Sequence, residues 1–175
     1  AEKALPVPEK VELEIAAALP LQGMTAHFLS HGVYELGEGA TCLITAGAGG
    51  VGQLLTQMAS SLGATVYTVV STDEKEEISY KCGADHVFRY SDGLGEQVRR
   101  FNGGRGVDVV YDGVGQSTFF ESLEAVRPRR LPRRLDRRPG DVPRLHPAPV
   151  TCQHRGDHAV AAPEVQHVGA LHHGG

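Results

Sequence analysis

Short apolar runs alternate with amphipathic stretches between residues 41 and 126. The runs are rich in β-branched residues and have the length of buried strands. The stretches between them place apolar residues at helical spacing, and glycines close several of them. We therefore predict four strands, at residues 42–46, 65–70, 86–88 and 107–111. Between and after them we predict four helices, at residues 50–62, 73–82, 94–101 and 117–126.

The order of these elements predicts an α/β fold with a Rossmann-like, doubly wound parallel sheet, truncated after about four strands. Residues 31–126 form this predicted domain. Residues 1–30 form an entry segment with linker helices, in which Pro20 either ends a first short helix or begins the next. The second helix would carry Met24, Phe28 and Leu29 on one face, and Thr25 would lie near its start.

A glycine-rich turn follows the first predicted strand and leads directly into a helix. Gly47, Gly49 and Gly52 have the spacing of the G-x-G-x-x-G dinucleotide fingerprint, with Gly50 and Val51 between them. In that motif one glycine permits the sharp turn, one lets the backbone approach a pyrophosphate, and one lets helix and strand pack closely. The helix N-terminus then offers N–H groups to the phosphates. The alternative is a glycine-rich turn in an unrelated α/β protein.

The sequence changes character after residue 126, where arginine, proline and histidine dominate and apolar periodicity ends. We expect residues 127–175 to be irregular, so that strand four becomes an open sheet edge. Residues 131–175 are further predicted to come from a shifted reading frame, because one permitted reading of ordinary codons one base later gives an apolar strand. Two other functions of the tail are alternatives. The histidines at 154, 158, 172 and 173 could bind a metal, and the arginines between 127 and 144 could bind nucleic acid.

Composition limits the classes of function. The 175-residue chain is 41% hydrophobic and carries a net charge of −4, which favours neither a nucleic-acid nor a membrane partner. No apolar run has the length of a membrane span, and no signal peptide is visible. Cys42, Cys82 and Cys152 lack zinc-ligand spacing, so we expect reduced thiols, no metal site and a cytoplasmic location.

Several sequence blocks occur in an order that resembles a known family. They are AAALPLQGMTAH from residue 16, AGAGGVG from residue 46, CGADHV from residue 82 and GGRGVDVVYDGVG from residue 103. Residues 16–130 thereby resemble the cofactor-binding domain of the medium-chain dehydrogenase/reductase superfamily, closest to its zinc-independent quinone oxidoreductase, or zeta-crystallin-like, branch. The resemblance implies an NADPH-dependent reductase of quinones or conjugated carbonyls that needs no metal.

Family members have two domains with the substrate cleft between them. Relative to that pattern, most of the amino-terminal catalytic domain and the segment from strand five onward are absent from this sequence. We therefore assign no catalytic residue, and we expect the chain by itself to have little or no activity. The expected partner is a small-molecule quinone or enone, without nucleic acid or membrane, and a homodimer is left open.

The end of the second strand favours NADP over NAD. Val70 is followed by Ser71 and not by the acidic residue that binds a ribose 2′-hydroxyl. By resemblance, Ser71, Lys75 and Tyr90 would hold the 2′-phosphate. The alternatives are a solvated lysine paired with neighbouring glutamates and an ordinary packing tyrosine, and Asp73 keeps NAD open.

The remaining candidate cofactor-binding residues lie elsewhere at the same edge of the sheet. Thr25 would approach the phosphates, although a threonine near a helix start is as often only a cap. The turn after strand four, formed by Asp112, Gly113 and Val114, would lie near the nicotinamide. The alternative is that Asp112 only forms the turn. Two other functions stay open, a nucleotide-binding fragment without turnover and an enoyl reductase of the same superfamily.

Overall fold

The computed structural model describes residues 6–128 and 150–152. Its centre is a parallel sheet in which the strands lie in the order β3-β2-β1-β4-β5. The strands are β1 (Thr41–Thr45), β2 (Thr65–Val70), β3 (His86–Arg89), β4 (Val109–Asp112) and β5 (Val150–Cys152). β1 lies between β2 and β4 and pairs with both. All five of its residues are buried, because it is covered on both faces.

Helices connect the strands and cover both faces of the sheet. They are α1 (Leu13–His27), α2 (Gly50–Ser61), α3 (Asp73–Lys81), α4 (Leu94–Phe101) and α5 (Phe119–Ala125), and a π-helix (Phe28–Val33) continues α1. Alternate residues of β1 enter opposite cores. Ile44 packs in a cluster that includes Leu55 of α2, whereas Leu43 packs in a second cluster that includes Val98 of α4. The predicted doubly wound architecture is confirmed.

The entry segment differs from the prediction. Pro20 neither ends nor begins a helix, because α1 runs through it as one helix of 15 residues. A proline inside a helix lacks one main-chain donor, and the packing of α1 against α2 offsets that loss. Thr25 consequently lies near the end of a helix and not near a start. Of the face predicted to be apolar, Met24 and Phe28 are 63% and 59% exposed.

The far edge of the sheet also differs from the prediction. The edge of β4 is not left open, because β5 pairs with β4 in parallel. Val110 lies opposite Val150, and Asp112 lies opposite Cys152. Val-Thr-Cys contains two β-branched residues, and an unpaired strand edge offers a full row of donors and acceptors to such a segment. The expectation of a wholly irregular tail is therefore wrong for these three residues. The predicted frame shift and the tail histidines from His154 onward lie outside the described residues.

Two aspartates connect neighbouring strands at the amino-terminal edge of the sheet. The Asp108 carboxylate accepts the N–H of Thr41 at 2.7 Å, and the Asp85 carboxylate accepts that of Val66 at 2.7 Å. Asp108 is buried and also contacts the Arg127 guanidinium, with Nε 2.7 Å from Oδ1. The first arginine of the predicted basic cluster is thus engaged within the fold. These contacts fix the strand register and so align the carboxyl ends at the opposite edge.

Candidate functional site: the carboxyl edge of the sheet

The turn after β1 is tight, and its left-handed residue is an alanine. Ala46 has φ of 51°, the only positive φ outside glycine in the described residues, whereas Gly47, Gly49 and Gly52 all have negative φ or extended backbone. The prediction that a glycine supplies the sharp turn is therefore wrong. Left-handed backbone costs an L-residue roughly 1–2 kcal/mol. The Ala46 carbonyl accepts the N–H of Gly49 at 2.8 Å, which closes the turn.

Close contacts require glycine at Gly47 and Gly52 and restrict the side chain at Gly49. A Cβ at Gly47 would lie 2.6 Å from the Thr68 Cβ of the neighbouring strand. A Cβ at Gly52 would overlap the carbonyl oxygen of Ala46 and lie 2.8 Å from that of Gly47. A Cβ at Gly49 would lie 3.1 Å from the Ala46 oxygen, a milder conflict. The predicted close approach of helix and strand is thus found at Gly52, where the first turn of α2 rests on the backbone of the loop.

The N-terminus of α2 is left free to bind an anion. Its N-cap is Gly49, no side chain caps it, and no acidic residue lies in its first turn. The N–H groups of Gly50, Val51 and Gly52 have no acceptor among residues 6–128 and 150–152. Such N–H groups and the positive end of the helix dipole favour phosphate. The Gln22 side chain of α1 lies over Gly50. A Cβ added to Gly50 would lie 2.5 Å from the side-chain amide of Gln22.

A cavity of about 290 Å³ opens beside this helix terminus, between α1, the π-helix and the ends of β1 and β4. Seven predicted site residues line it, namely Thr25, Gly49, Gly50, Val51, Gly52, Asp112 and Gly113. Its remaining wall is mainly apolar and includes Phe28, Val33 and Tyr111. Apolar pockets with a few converging polar groups are typical of cofactor sites.

Asp112 organises the turn after β4 but has little capacity left for a ligand. Its buried carboxylate accepts hydrogen bonds from the hydroxyls of Thr45, Thr118 and Ser122, at 3.0, 2.8 and 2.7 Å. It also accepts the N–H groups of Val114 and Gly115, at 2.9 and 3.0 Å. These five donors hold the chain from Gly113 onward against the end of β1. The carboxylate is thus a turn former and shapes the cavity wall.

The Thr25 hydroxyl and the Tyr111 phenol are both used to hold the cavity's helical wall. Thr25 donates to the carbonyl oxygen of Leu21 at 2.7 Å, one turn back in α1. Tyr111 donates to the carbonyl oxygen of Leu29 at 3.0 Å, which ties β4 to the π-helix. Burial raises the pKa of the Tyr111 phenol, with the nearby Cys42 thiol contributing further. Tyr111 therefore stays a donor over the physiological pH range.

Two of the residues predicted at the second strand's end lie together. The Lys75 Nζ donates to the Ser71 hydroxyl oxygen at 3.2 Å, and the Thr72 hydroxyl accepts the Lys75 N–H as the N-cap of α3. Asp73, which kept NAD open, is instead paired with Arg89 at 2.5 Å. The same guanidinium contacts Glu76. One arginine thus engages both carboxylates beside the Ser71–Lys75 pair.

Tyr90 reaches back to the glycine loop from the end of β3. Its hydroxyl oxygen accepts the N–H of Ala46 at 2.7 Å, and its ring packs on the cluster that contains Leu43 and Val69. Burial raises the pKa of the Tyr90 phenol, the hydrogen bond from Ala46 opposes that rise, and Asp112 adds to it. The phenol is therefore a neutral acceptor at this position.

Sequence reasoning missed several residues that shape the site. Phe28 and Val33 lie outside the sequence blocks quoted above, and the blocks that contain Gln22, Ala46 and Tyr111 do not mark these three residues individually. The positions of α1 and the π-helix beside the loop reveal Gln22, Phe28 and Val33, whereas the backbone of Ala46 and the place of Tyr111 in β4 reveal the other two. No three metal-ligating side chains come together in the described part of the chain. None of the helices described there is long and apolar enough to cross a bilayer.

The fold and this edge define a Rossmann-like α/β domain. Residues 50–129 match the family model described as zinc-binding dehydrogenase. The 2-haloacrylate reductase of a Burkholderia species is 45% identical over 134 residues, which is 75% of this chain and 40% of that protein. The chain spans about 40% of the length of the curated quinone oxidoreductases it matches. It belongs to the medium-chain dehydrogenase/reductase superfamily and, within it, to the quinone oxidoreductase-like branch.

Solved structures support the same assignment. A mycobacterial protein complexed with NADPH is 48% identical, with a TM-score of 0.68 over 69% of this chain and 38% of that one. The Escherichia coli quinone oxidoreductase complexed with NADPH is 37% identical, with a TM-score of 0.68 over 72% of this chain and 39% of that one. The likeness to both structures is therefore one of sequence as well as of fold.

Proposed function

We propose that this chain binds NADPH at the carboxyl edge of its sheet and forms the cofactor-binding part of a reductase of quinones or conjugated carbonyls. The single observation that carries the proposal is the cavity, in which seven predicted cofactor-binding residues meet at an uncapped helix N-terminus. Two relatives whose structures contain NADPH support the choice of cofactor.

The residues present fit a dinucleotide from end to end. The pyrophosphate would lie at the N–H groups of Gly50, Val51 and Gly52, where backbone contacts leave no room for a larger side chain on Gly52. The 2′-phosphate of the adenosine ribose would lie at Ser71 and Lys75, whose hydroxyl and ammonium groups are already adjacent. A charged ammonium is a strong donor to phosphate.

The nicotinamide end would enter the apolar cavity between the π-helix and the turn held by Asp112. NADPH supplies a hydride when bound, and the protein supplies its position and its surroundings. The backbone of Gly113 and Val114 would border the ring, because Asp112 fixes that turn. Phe28 and Val33 would limit water at the ring, and this favours hydride transfer to an organic acceptor. In keeping with the zinc-independent branch that its motifs resemble, we assign the reaction no metal.

A conjugated acid or thioester is the second candidate acceptor. The relative named 2-haloacrylate reductase supports it, as do matches to highly reducing polyketide synthases. The third candidate is dinucleotide binding without turnover. Assembly as a homodimer and a cytoplasmic location both stay predictions.

Fluorescence titration with NADPH and NADH tests the binding, and NADPH oxidation in the presence of a quinone, an acrylate or an enoyl thioester tests the acceptor. Binding of NADPH with no oxidation by any acceptor supports dinucleotide binding without turnover. Failure of the folded protein to bind either dinucleotide contradicts the proposed function.

A further inference from the structure

The most strained residue of the glycine loop is held by a side chain from a distant strand. Ala46 is left-handed, with φ of 51°, and its N–H is donated to the Tyr90 hydroxyl oxygen at 2.7 Å. The residue on one side belongs to β1, and the N–H of Gly47 on the other side is donated to the carbonyl oxygen of Val69 at 3.2 Å. The Tyr90 hydroxyl is therefore the acceptor for the N–H of the left-handed residue itself.

The conformation of Ala46 matters because the next elements are built on its carbonyl group. That oxygen accepts the N–H of Gly49, and Gly52 rests directly against it. A change in the φ of Ala46 would rotate this carbonyl and displace the first turn of α2. The N–H groups that face the dinucleotide phosphates would move with it.

We propose that Tyr90 is a positioning residue, which sets the phosphate-binding loop by accepting the Ala46 N–H. This inference rests on the proposed function and departs from the role that resemblance implies for Tyr90, a ligand of the 2′-phosphate. Removal of a ligand of that phosphate weakens the binding of NADPH alone. Removal of a group that sets the loop weakens the binding of NADPH and NADH to the same extent, because the two dinucleotides share the pyrophosphate.

The test is Tyr90→Phe, which keeps the ring and removes only the hydroxyl group, with its acceptor oxygen and its donor hydrogen. The affinities for NADPH and NADH should both fall by about 3- to 10-fold, as expected for the loss of one neutral hydrogen bond. In the protein without dinucleotide, the Ala46 amide should exchange with solvent at least about threefold faster by NMR. Tyr80→Phe is the matched control, because the exposed Tyr80 hydroxyl has no hydrogen bond in the described residues, and it should change neither quantity.

Ala46→Gly provides the independent arm, since glycine adopts positive φ without strain. In that background Tyr90→Phe should weaken binding less than about twofold, a non-additivity that loss of packing alone would not produce. If Tyr90→Phe alone does not fold, recovery of folding by Ala46→Gly supports the contact, and failure to recover contradicts it.

Loss of NADPH affinity alone, or an unchanged exchange rate at Ala46, would overturn the inference. These outcomes differ from failure of the proposed function, in which the wild-type protein binds neither dinucleotide. The exchange measurement requires no ligand and decides the loop contact in either case.

Discussion

The ammonium group of Lys75 lies 3.2 Å from the hydroxyl oxygen of Ser71, so that the end of β2 and the first turn of α3 present one donor cluster. The alternative for Lys75, a solvated lysine paired with neighbouring glutamates, does not describe this contact. Glu77 is paired with Lys81 and Glu76 with Arg89. Lys75 is therefore available to a phosphate at the adenosine end of the site.

Lys75→Ala should narrow the difference between the binding free energies of NADPH and NADH by about 1.5–3 kcal/mol, the range for a hydrogen bond to a charged group. The affinity for NADH should be nearly unchanged, because NADH has no 2′-phosphate. Fluorescence titration of both dinucleotides measures the difference. Lys81→Ala, which removes an exposed lysine of the same helix, is the control and should leave it unchanged. Equal losses for the two dinucleotides would refute the assignment of Lys75.

Arg89→Ala should also reduce the preference for NADPH, through charge and not through direct contact. Arg89 engages Asp73 and Glu76, and its removal leaves two uncompensated carboxylates beside Ser71. Like charges repel the 2′-phosphate, and salt screens the repulsion. The loss of NADPH affinity should therefore shrink as ionic strength rises. Arg100→Ala, which breaks an exposed pair with Glu96 elsewhere, should not alter the preference. A loss that is independent of salt would contradict this account.

Gly52→Val should destabilise the protein and abolish dinucleotide binding. Its Cβ would overlap the Ala46 carbonyl oxygen, and overpacking of this kind costs about 1–3 kcal/mol. Thermal unfolding and NADPH titration measure the two effects. Gly37→Val is the matched control, since a Cβ there meets no atom within 4 Å and its φ is not positive. Gly52→Val with wild-type stability and binding would show that the loop is built differently.

Cys42 should lower stability at alkaline pH. Burial raises the pKa of its thiol from 9.0 to about 12, with Asp85 and Asp108 adding to the rise. Below pH 9 the thiol is protonated in both folded and unfolded chains, so its contribution is constant. Between pH 9 and 12 the unfolded chain loses the proton first, and stability falls as pH rises.

The slope of the unfolding free energy with pH reports how many protons the folded and unfolded chains differ by. Cys42→Ala should therefore reduce this slope between pH 9 and 12 by up to the equivalent of about one proton. Urea unfolding at several pH values measures the slope. The buried Tyr67 and Tyr111 and the partly buried Tyr90, whose pKa values are also raised, should keep a residual slope in both proteins. Identical slopes with and without Cys42 would contradict a buried thiol.

Quinone reduction by the purified 175-residue chain should be very weak even where NADPH binds. The cavity wall offers apolar side chains, and the Asp112 carboxylate is already occupied by five donors. The proposed nicotinamide ring would itself occupy this cavity, and the Tyr111 phenol in the same wall donates to the Leu29 carbonyl oxygen, so neither titratable side chain there is free to protonate a reduced quinone. Steady-state NADPH oxidation measures the rate, and a reaction that contains NADPH and quinone but no protein is the control for the background. Robust saturable turnover by the chain would refute this prediction.

The sequence by itself determined the repeating architecture and much of the edge where the site lies. The bounds of β2 and α4 agree with the prediction, because an apolar β-branched run and an amphipathic stretch are local signals of burial. Gly52 could likewise be predicted, since the spacing of the fingerprint encodes a close approach of helix and strand. These features depend on residues that are near one another in the chain.

Only the tertiary structure decided which contacts shape the site. Ala46 is left-handed while Tyr90, 44 residues away, accepts its N–H, and Thr45 meets Asp112 across 67 residues. Pro20 remains inside α1 because α2 packs against that helix, and β5 pairs with β4 because the sheet edge offers free backbone groups. Local preferences of about 1–3 kcal/mol are overridden when long-range packing and hydrogen bonding contribute more.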